Sequence, residues 1–149
     1  ILRAHLFNWK IWPDFTEIPN RDNPFMVYRE ITVGSPVDFS TATAVRRMTA
    51  FPAIHTVPAV GYLVQSDKSA LIFSGDTGEN DALWQVANTT PNLKYLIIET
   101  AFSNQERALA IASKHLCPDM LASELTKLSA RPEVLITHLK PGEGALTWR

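Results

Sequence analysis

The sequence predicts an α/β domain in which helices pack against a mixed sheet. Three observations predict it. Prolines and glycines punctuate the first half (Pro13, Pro19, Pro24, Gly34, Pro36, Pro52, Pro58, Gly61), so no long helix fits there and short strands and loops are expected. After Asp76 the pattern changes to helix and strand in alternation, and an antiparallel half followed by α/β units implies helices packed against a mixed sheet. The composition, 46% hydrophobic and 19% charged over 149 residues, is that of a folded globular chain and excludes a disordered, collagenous or coiled-coil protein.

The elements follow in order. Residues 25–31 read as a strand, and 44–51 as another with Arg46 and Arg47 exposed. Residues 61–65 and 69–73 flank the polar turn Ser66-Asp67-Lys68 and read as a β-hairpin. A short helix is expected over 80–87, capped by Asn80, and a buried strand over 93–98. Residues 103–115 should form a helix with Ser103 or Asn104 as its cap and Ala108, Ile111 and Ala112 along one face. A second helix covers 118–128, with Pro118 suited to its first turn and Leu121, Leu125 and Leu128 facing the core. The strand 133–137 closes the pattern. No repeat, low-complexity tract or separating linker occurs.

Charge and cysteine content narrow the function. Fourteen Lys and Arg against fifteen Asp and Glu leave a net charge of −1, which gives no electrostatic reason for a nucleic-acid or membrane partner. Arg46 and Arg47 are adjacent on a strand and point to opposite faces, so they make a poor joint phosphate clamp. One cysteine, Cys117, excludes an internal disulfide and a Cys-rich zinc module. Apolar runs are broken within about ten residues, too short for a membrane-spanning helix. The first residue is Ile, no charged-then-apolar leader follows it, and residues 143–149 trail off without a completed element. These features lead to the expectation of a piece of something longer.

Three polar residues stand where hydrophobic strands end: Asp76 in Ile72-Phe73-Ser74-Gly75-Asp76, Glu99 in Leu96-Ile97-Ile98-Glu99, and His138 in Leu135-Ile136-Thr137-His138. The carboxyl ends of sheet strands form the rim where sites collect, because strands fix side chains that loops then expose. His55 sits between apolar residues just ahead of the hairpin. His and Asp accept Zn²⁺, Mn²⁺ or Fe²⁺, and a carboxylate can bridge two ions. Each residue also has a plain structural reading: a hydrogen-bonded core histidine, a turn aspartate, or a helix-start carboxylate. His5 reads as structural.

The motifs carry a resemblance. Asn8-Trp9-Lys10-Ile11-Trp12-Pro13-Asp14-Phe15, His55-Thr56-Val57-Pro58-Ala59-Val60-Gly61-Tyr62, Phe73-Ser74-Gly75-Asp76-Thr77-Gly78, Ile98-Glu99-Thr100-Ala101-Phe102-Ser103-Asn104 and Ile136-Thr137-His138-Leu139-Lys140-Pro141 resemble, in the same order, segments of the class II cyclic-nucleotide phosphodiesterases within the metallo-β-lactamase-fold hydrolases. Ser-Gly-Asp-Thr is common across that superfamily; the stretches beginning at His55 and at Trp12 are far more specific.

The resemblance implies a four-layer αββα sandwich and two divalent metal ions, Zn²⁺ with Mn²⁺ or Fe²⁺ as alternatives. His55 resembles the third histidine of the first metal site, Asp76 the bridging carboxylate, and His138 the histidine of the second site. His115 resembles a general acid, with Glu99 orienting it, raising its pKa and keeping it protonated; a favourable cation at a helix C-terminus fits His115 equally well. The implied substrate is a 3′,5′-cyclic nucleotide, cyclic AMP or cyclic GMP, hydrolysed to the nucleoside 5′-phosphate. Trp9, Trp12, Phe15 and Phe102 are candidates for stacking on the base, with closure of the core under a loop as their alternative. Thr77, Thr100 and Thr137 adjoin site residues and could orient them. No nucleic acid or membrane partner is expected; a homodimer and either compartment stay open.

One departure matters. The superfamily's His-x-His-x-Asp-His signature is absent, and no His-x-His occurs in the sequence. The chain is therefore expected to be a partial domain over 1–149, the carboxyl-terminal part of a larger unit, weakly metallated or inactive by itself. Two competing readings remain: the same fold acting on RNA or another phosphodiester, and a metal-free interaction module on the same scaffold.

Overall fold

The computed structural model describes residues 1–140; Pro141 and the trailing segment 143–149 lie outside the described residues. The chain divides into two compact units, Ile1–Ile31 and Thr32–Arg149.

The first unit is held by side chains that satisfy turns. A four-residue helix α1 (Leu2–His5) opens it. Asn8 then folds the chain back: its Nδ2 donates to the Ala4 carbonyl, and its Oδ1 accepts from the amides of Lys10 and Ile11. This is the Asx geometry that competes with regular structure. The buried Asp14 accepts from the amide and hydroxyl of Thr16, bonds that hold its carboxyl below the usual range. The expected strand over 25–31 does not form. A strand needs a paired neighbour, and instead loop carbonyls of Ile18 and Phe15 take the amides of Phe25 and Met26.

The second unit contains one six-stranded sheet in sequence order: β1 (Pro36–Asp38), β2 (Arg46–Pro52), β3 (Val60–Ser66), β4 (Ala70–Phe73), β5 (Leu93–Glu99) and β6 (Glu133–Thr137). β1 to β4 run antiparallel; β5 and β6 continue parallel to β4. The hairpin β3–β4 pairs Tyr62 with Phe73 and Leu63 with Ile72. Parallel pairs need crossovers, here supplied by α2 (Asp81–Thr89) and by α3 (Arg107–Ser113) with α4 (Pro118–Leu125).

Alternation along the strands separates the two faces. Ile72, Leu96 and Ile98, with Leu63, Val134 and Ile136, meet Leu83, Trp84, Ala87, Ala110, Met120 and Leu121 of the helices in one core. The opposite face shows Val64, Phe73 and Leu135. The described residues thus supply one sheet with helices packed on one face. Asn80 caps α2 by accepting from the Ala82 amide. The core also encloses a polar knot: Glu124 Oε2 accepts from the Asn80 amide at 3.1 Å and from Trp84 Nε1 at 2.6 Å, and Glu124 Oε1 pairs with Lys127.

The helix expected over 103–115 is shorter and differently phased. Ser103 does cap it, in a capping box with Glu106, but a 3-10 turn (Asn104–Glu106) precedes α3. Winding at three residues per turn rotates the phase of the residues that follow. Ala110, not Ala108, Ile111 or Ala112, therefore meets the core, and Ile111 is 57% exposed. Lys114, left-handed at φ 56°, ends the helix. Among the described residues no helix is long and apolar enough to cross a membrane.

Candidate metal centre and acid–base pair

Five segments of the second unit converge beside the carboxyl ends of the parallel strands. The segment after β4 brings Asp76. Its entry, Gly75, is left-handed at φ 63°, and a Cβ there would stand 2.6 Å from the Val60 carbonyl oxygen, so only glycine fits without displacement. Thr77 then ties this segment to its neighbours. Its hydroxyl accepts from the Ile54 amide at 3.0 Å, while its own amide donates to Glu99 Oε1 at 3.1 Å. Gly78 closes the link by donating to the Ile54 carbonyl, which places His55 against the Asp76 segment.

His55 is held from a second side. Its Nδ1 lies 3.3 Å from the Lys114 carbonyl, and Lys114 Nζ donates to the His55 carbonyl at 3.2 Å. A carbonyl can only accept, so Nδ1 carries the hydrogen and Nε2 presents its lone pair. That is the arrangement in which a backbone carbonyl orients a metal-ligating imidazole.

Glu99 ends β5 and is fully buried. Its oxygens face only donors apart from the imidazole. Oε1 accepts from the Thr77 amide; Oε2 accepts from the amides of Ala101 at 3.0 Å and Leu116 at 3.4 Å. His115 Nδ1 stands 2.6 Å from Oε1. With three N–H groups on the remaining lone pairs, the space between Oε1 and Nδ1 is the one place a shared proton can sit. Burial pushes the Glu99 carboxyl up to about 7, outweighing the Thr77, Leu116 and Ala101 amides and the His138 charge. Burial, and next the neighbouring His55, lower His115. The expectation that Glu99 raises the His115 pKa is corrected: desolvation of both partners drives the pair toward its neutral form.

His138 follows β6, left-handed at φ 64°. Its Nδ1 is 3.2 Å from Asp76 Oδ1. The three imidazoles stack edge to face, with centroids 4.8 Å apart for His55 and His115 and 5.1 Å for His115 and His138.

The chemistry of the donors fits a divalent metal. One ligand atom each from His55, Asp76 and His115 lie within 4.8 Å of one another, and so do those from Glu99, His115 and His138. Imidazole with carboxylate is the donor set that Zn²⁺, Mn²⁺ and Fe²⁺ accept. His115 belongs to both groups, but its Nδ1 is committed to Glu99.

Phe102 is corrected to a core residue: it is 4% exposed, its ring packs in a T-shaped arrangement with His115, and the Lys140 ammonium lies over the ring. Trp9, Trp12 and Phe15 belong to the first unit, where both tryptophans are exposed and Phe15 packs edge-on against Phe7 at 5.9 Å. Of the three threonines, Thr77 reaches Glu99 directly, Thr100 donates its hydroxyl to the Glu99 carbonyl at 2.8 Å, and Thr137 offers its carbonyl to the Thr100 amide. Two lysines escaped the sequence reading: Lys114, beside His115, and Lys140, two residues past His138. Their nearness in sequence to imidazoles was the available signal.

No family model matches the chain. It is 29% identical over 164 residues to a probable 3′,5′-cyclic-nucleotide phosphodiesterase of Yersinia pestis, a match that spans 95% of this chain and 47% of that protein. Its fold is similar to that of YhfI, a metallo-β-lactamase fold protein from Bacillus subtilis, with a TM-score of 0.59 and 17% identity over 73% of this chain and 41% of the other. The short form of human tRNase Z is similar at a TM-score of 0.55 and 21% identity, over 69% of this chain and 38% of that one. The chain spans less than half the length of each of these proteins, and the resemblance read from its motifs is supported. Over that part of its length, the chain carries the metallo-β-lactamase fold.

Proposed function

We propose that this chain is part of a metal-dependent phosphodiesterase that hydrolyses 3′,5′-cyclic nucleotides to nucleoside 5′-phosphates. The observation that carries the reading is the Glu99–His115 pair set beside Asp76, His138 and His55, in a chain similar along 95% of its length to the Yersinia protein. His55, Asp76 and His138 are the residues that would hold two divalent ions, Zn²⁺ first, completed by ligands of the parent protein outside this chain. Bound ions would supply charge that neutralises the phosphoryl oxygens and makes water acidic enough to attack near neutral pH.

The chain's own residues supply the rest. The 3′ oxygen of a cyclic nucleotide leaves as an alkoxide and needs a proton. His115 would donate from Nε2, which is free because Nδ1 faces Glu99, while the proton held between Nδ1 and Oε1 stabilises the changing charge on the ring. Such general-acid assistance is worth about 10²–10⁴-fold. Glu99 would act through His115 by fixing its orientation and proton. Thr77 and Lys114 would hold Glu99 and His55 in place. Part of the same fold occurs in tRNase Z, which makes an RNA phosphodiester the second reading; the net charge of −1 weighs against it.

The test is turnover by the complete parent protein after Zn²⁺ reconstitution, with cyclic AMP, cyclic GMP and the linear diester bis(p-nitrophenyl) phosphate. Cleavage of a cyclic nucleotide to the 5′-phosphate is expected. Cleavage of the linear ester with indifference to both cyclic nucleotides would overturn the substrate class.

A further inference from the structure

Lys140 is a cation at the candidate centre to which the acid–base and ligand roles assign nothing. Its ammonium lies 3.5 Å above the centroid of the Phe102 ring. That ring is edge-on to His115 at 5.6 Å, and His115 in turn to His138 at 5.1 Å. The lysine therefore stands one aromatic ring away from the proposed proton donor. Its position follows from the backbone: His138 is left-handed and turns the chain at the end of β6.

Two other lysines of this unit are committed. Lys114 donates to the His55 carbonyl, and Lys127 is clamped between Asp81 and Glu124. Among the described residues Lys140 makes no ion pair. A ring quadrupole holds an ammonium more weakly than a charge-assisted hydrogen bond to an oxyanion does. An anion arriving beside His115 would therefore draw this ammonium off the ring.

We propose that Lys140 is the oxyanion contact of this centre: its ammonium moves from the face of Phe102 to a non-bridging phosphoryl oxygen of the substrate, and the buried Phe102 ring is the platform that keeps it poised. The assignment rests on the phosphodiester reading and deepens it, giving the lysine the phosphoryl group and leaving the base to other residues.

The experiment uses the complete parent protein, Zn²⁺-loaded, as wild type, Lys140→Met and Lys140→Arg. Calorimetry measures the affinity for inorganic phosphate, steady-state kinetics the KM for cyclic AMP, and elemental analysis the metal content. Loss of one charged contact should weaken phosphate binding about tenfold in Lys140→Met and raise KM by a similar factor. Metal content should stay unchanged, and Lys140→Arg should remain within about threefold of wild type because it keeps the charge. Unchanged phosphate affinity in Lys140→Met overturns the proposal. So does a fall in its metal content, which would make Lys140 a support for His138. If wild type binds phosphate with the expected Lys140 dependence but cleaves no cyclic nucleotide, the substrate reading fails and the oxyanion contact stands. If cyclic AMP is cleaved with KM unmoved in Lys140→Met, the reverse holds.

Discussion

Replacing Glu99 by Gln tests the acid–base pair through stability alone. The carboxyl titrates at about 7 in the folded chain against an ordinary 4.5. Because the folded state holds this proton more tightly than the unfolded state, its contribution to stability is fully present below pH 4.5 and is lost as pH rises through about 7. At about 1.4 kcal/mol for each tenfold in proton affinity, the loss amounts to about 3 kcal/mol. Gln cannot ionise, so this dependence should vanish in the variant. Gln also has one acceptor oxygen where Glu has two. Whichever way its amide turns, an NH₂ group faces either Thr77 or the pair Ala101 and Leu116, leaving at least one buried N–H without an acceptor at a cost of about 1–3 kcal/mol. The variant should therefore be less stable than wild type at pH 5, and the gap should close or reverse by pH 9. Urea denaturation followed by tryptophan fluorescence, with EDTA throughout, measures both curves. A difference between the two proteins that is the same at pH 5 and pH 9 would refute the raised carboxyl and with it the shared proton.

Three further substitutions separate the roles of neighbouring groups. Asp76→Ala removes the carboxylate that stands 3.2 Å from His138 and should abolish paired-metal binding in the complete parent protein; normal metal content and rate would refute the bridging role. His115→Ala should lower kcat by about 10²–10⁴-fold with metals retained, whereas metal loss, read by elemental analysis, would make His115 a ligand. Gly75→Ala puts a Cβ 2.6 Å from the Val60 oxygen at a left-handed φ and should cost about 2 kcal/mol or more in urea denaturation; a stability equal to wild type would mean that the Asp76 turn is not constrained there.

The parts of this molecule legible in its sequence are those decided locally. The hairpin, the Asn80 cap and the strands that became β5 and β6 were readable because apolar alternation, a capping side chain and polar turn residues act within a few positions. Asp76, Glu99 and His138 were readable as a group because strand ends share one rim of a parallel sheet. What failed needed distant partners. Residues 25–31 have strand composition, but pairing is supplied by another segment or not at all. The phase of α3 depended on a 3-10 turn ahead of it. The Glu99 pKa could not be judged from an adjacent imidazole, since burial, a property of the whole core, reverses the direction that a charge pair alone would give. Lys140 lies within the Ile136–Pro141 motif, yet its seat over the Phe102 ring joins residues 38 positions apart in sequence.

The backbone itself marks the centre independently of side-chain type. Five described residues of the second unit have positive φ: Gly34, Gly75, Asn92, Lys114 and His138. Gly34 and Asn92 belong to the approaches to strands. The other three stand at the convergence, Gly75 immediately before Asp76, Lys114 immediately before His115, and His138 a site residue in its own right. For a residue with a Cβ, this conformation costs about 1–2 kcal/mol; at Lys114 it is also the left-handed cap that ends α3, where the amides of Lys114 and His115 donate to the Ile111 and Ala110 carbonyls. Such a cost persists where the surroundings over-determine the conformation. Here they do: Lys114 is fixed by its two bonds to His55, and His138 by the β5–β6 ladder on one side and Asp76 on the other. At both positions the conformation sets a contact of the convergence: Lys114 orients the His55 imidazole, and His138 meets the Asp76 carboxylate.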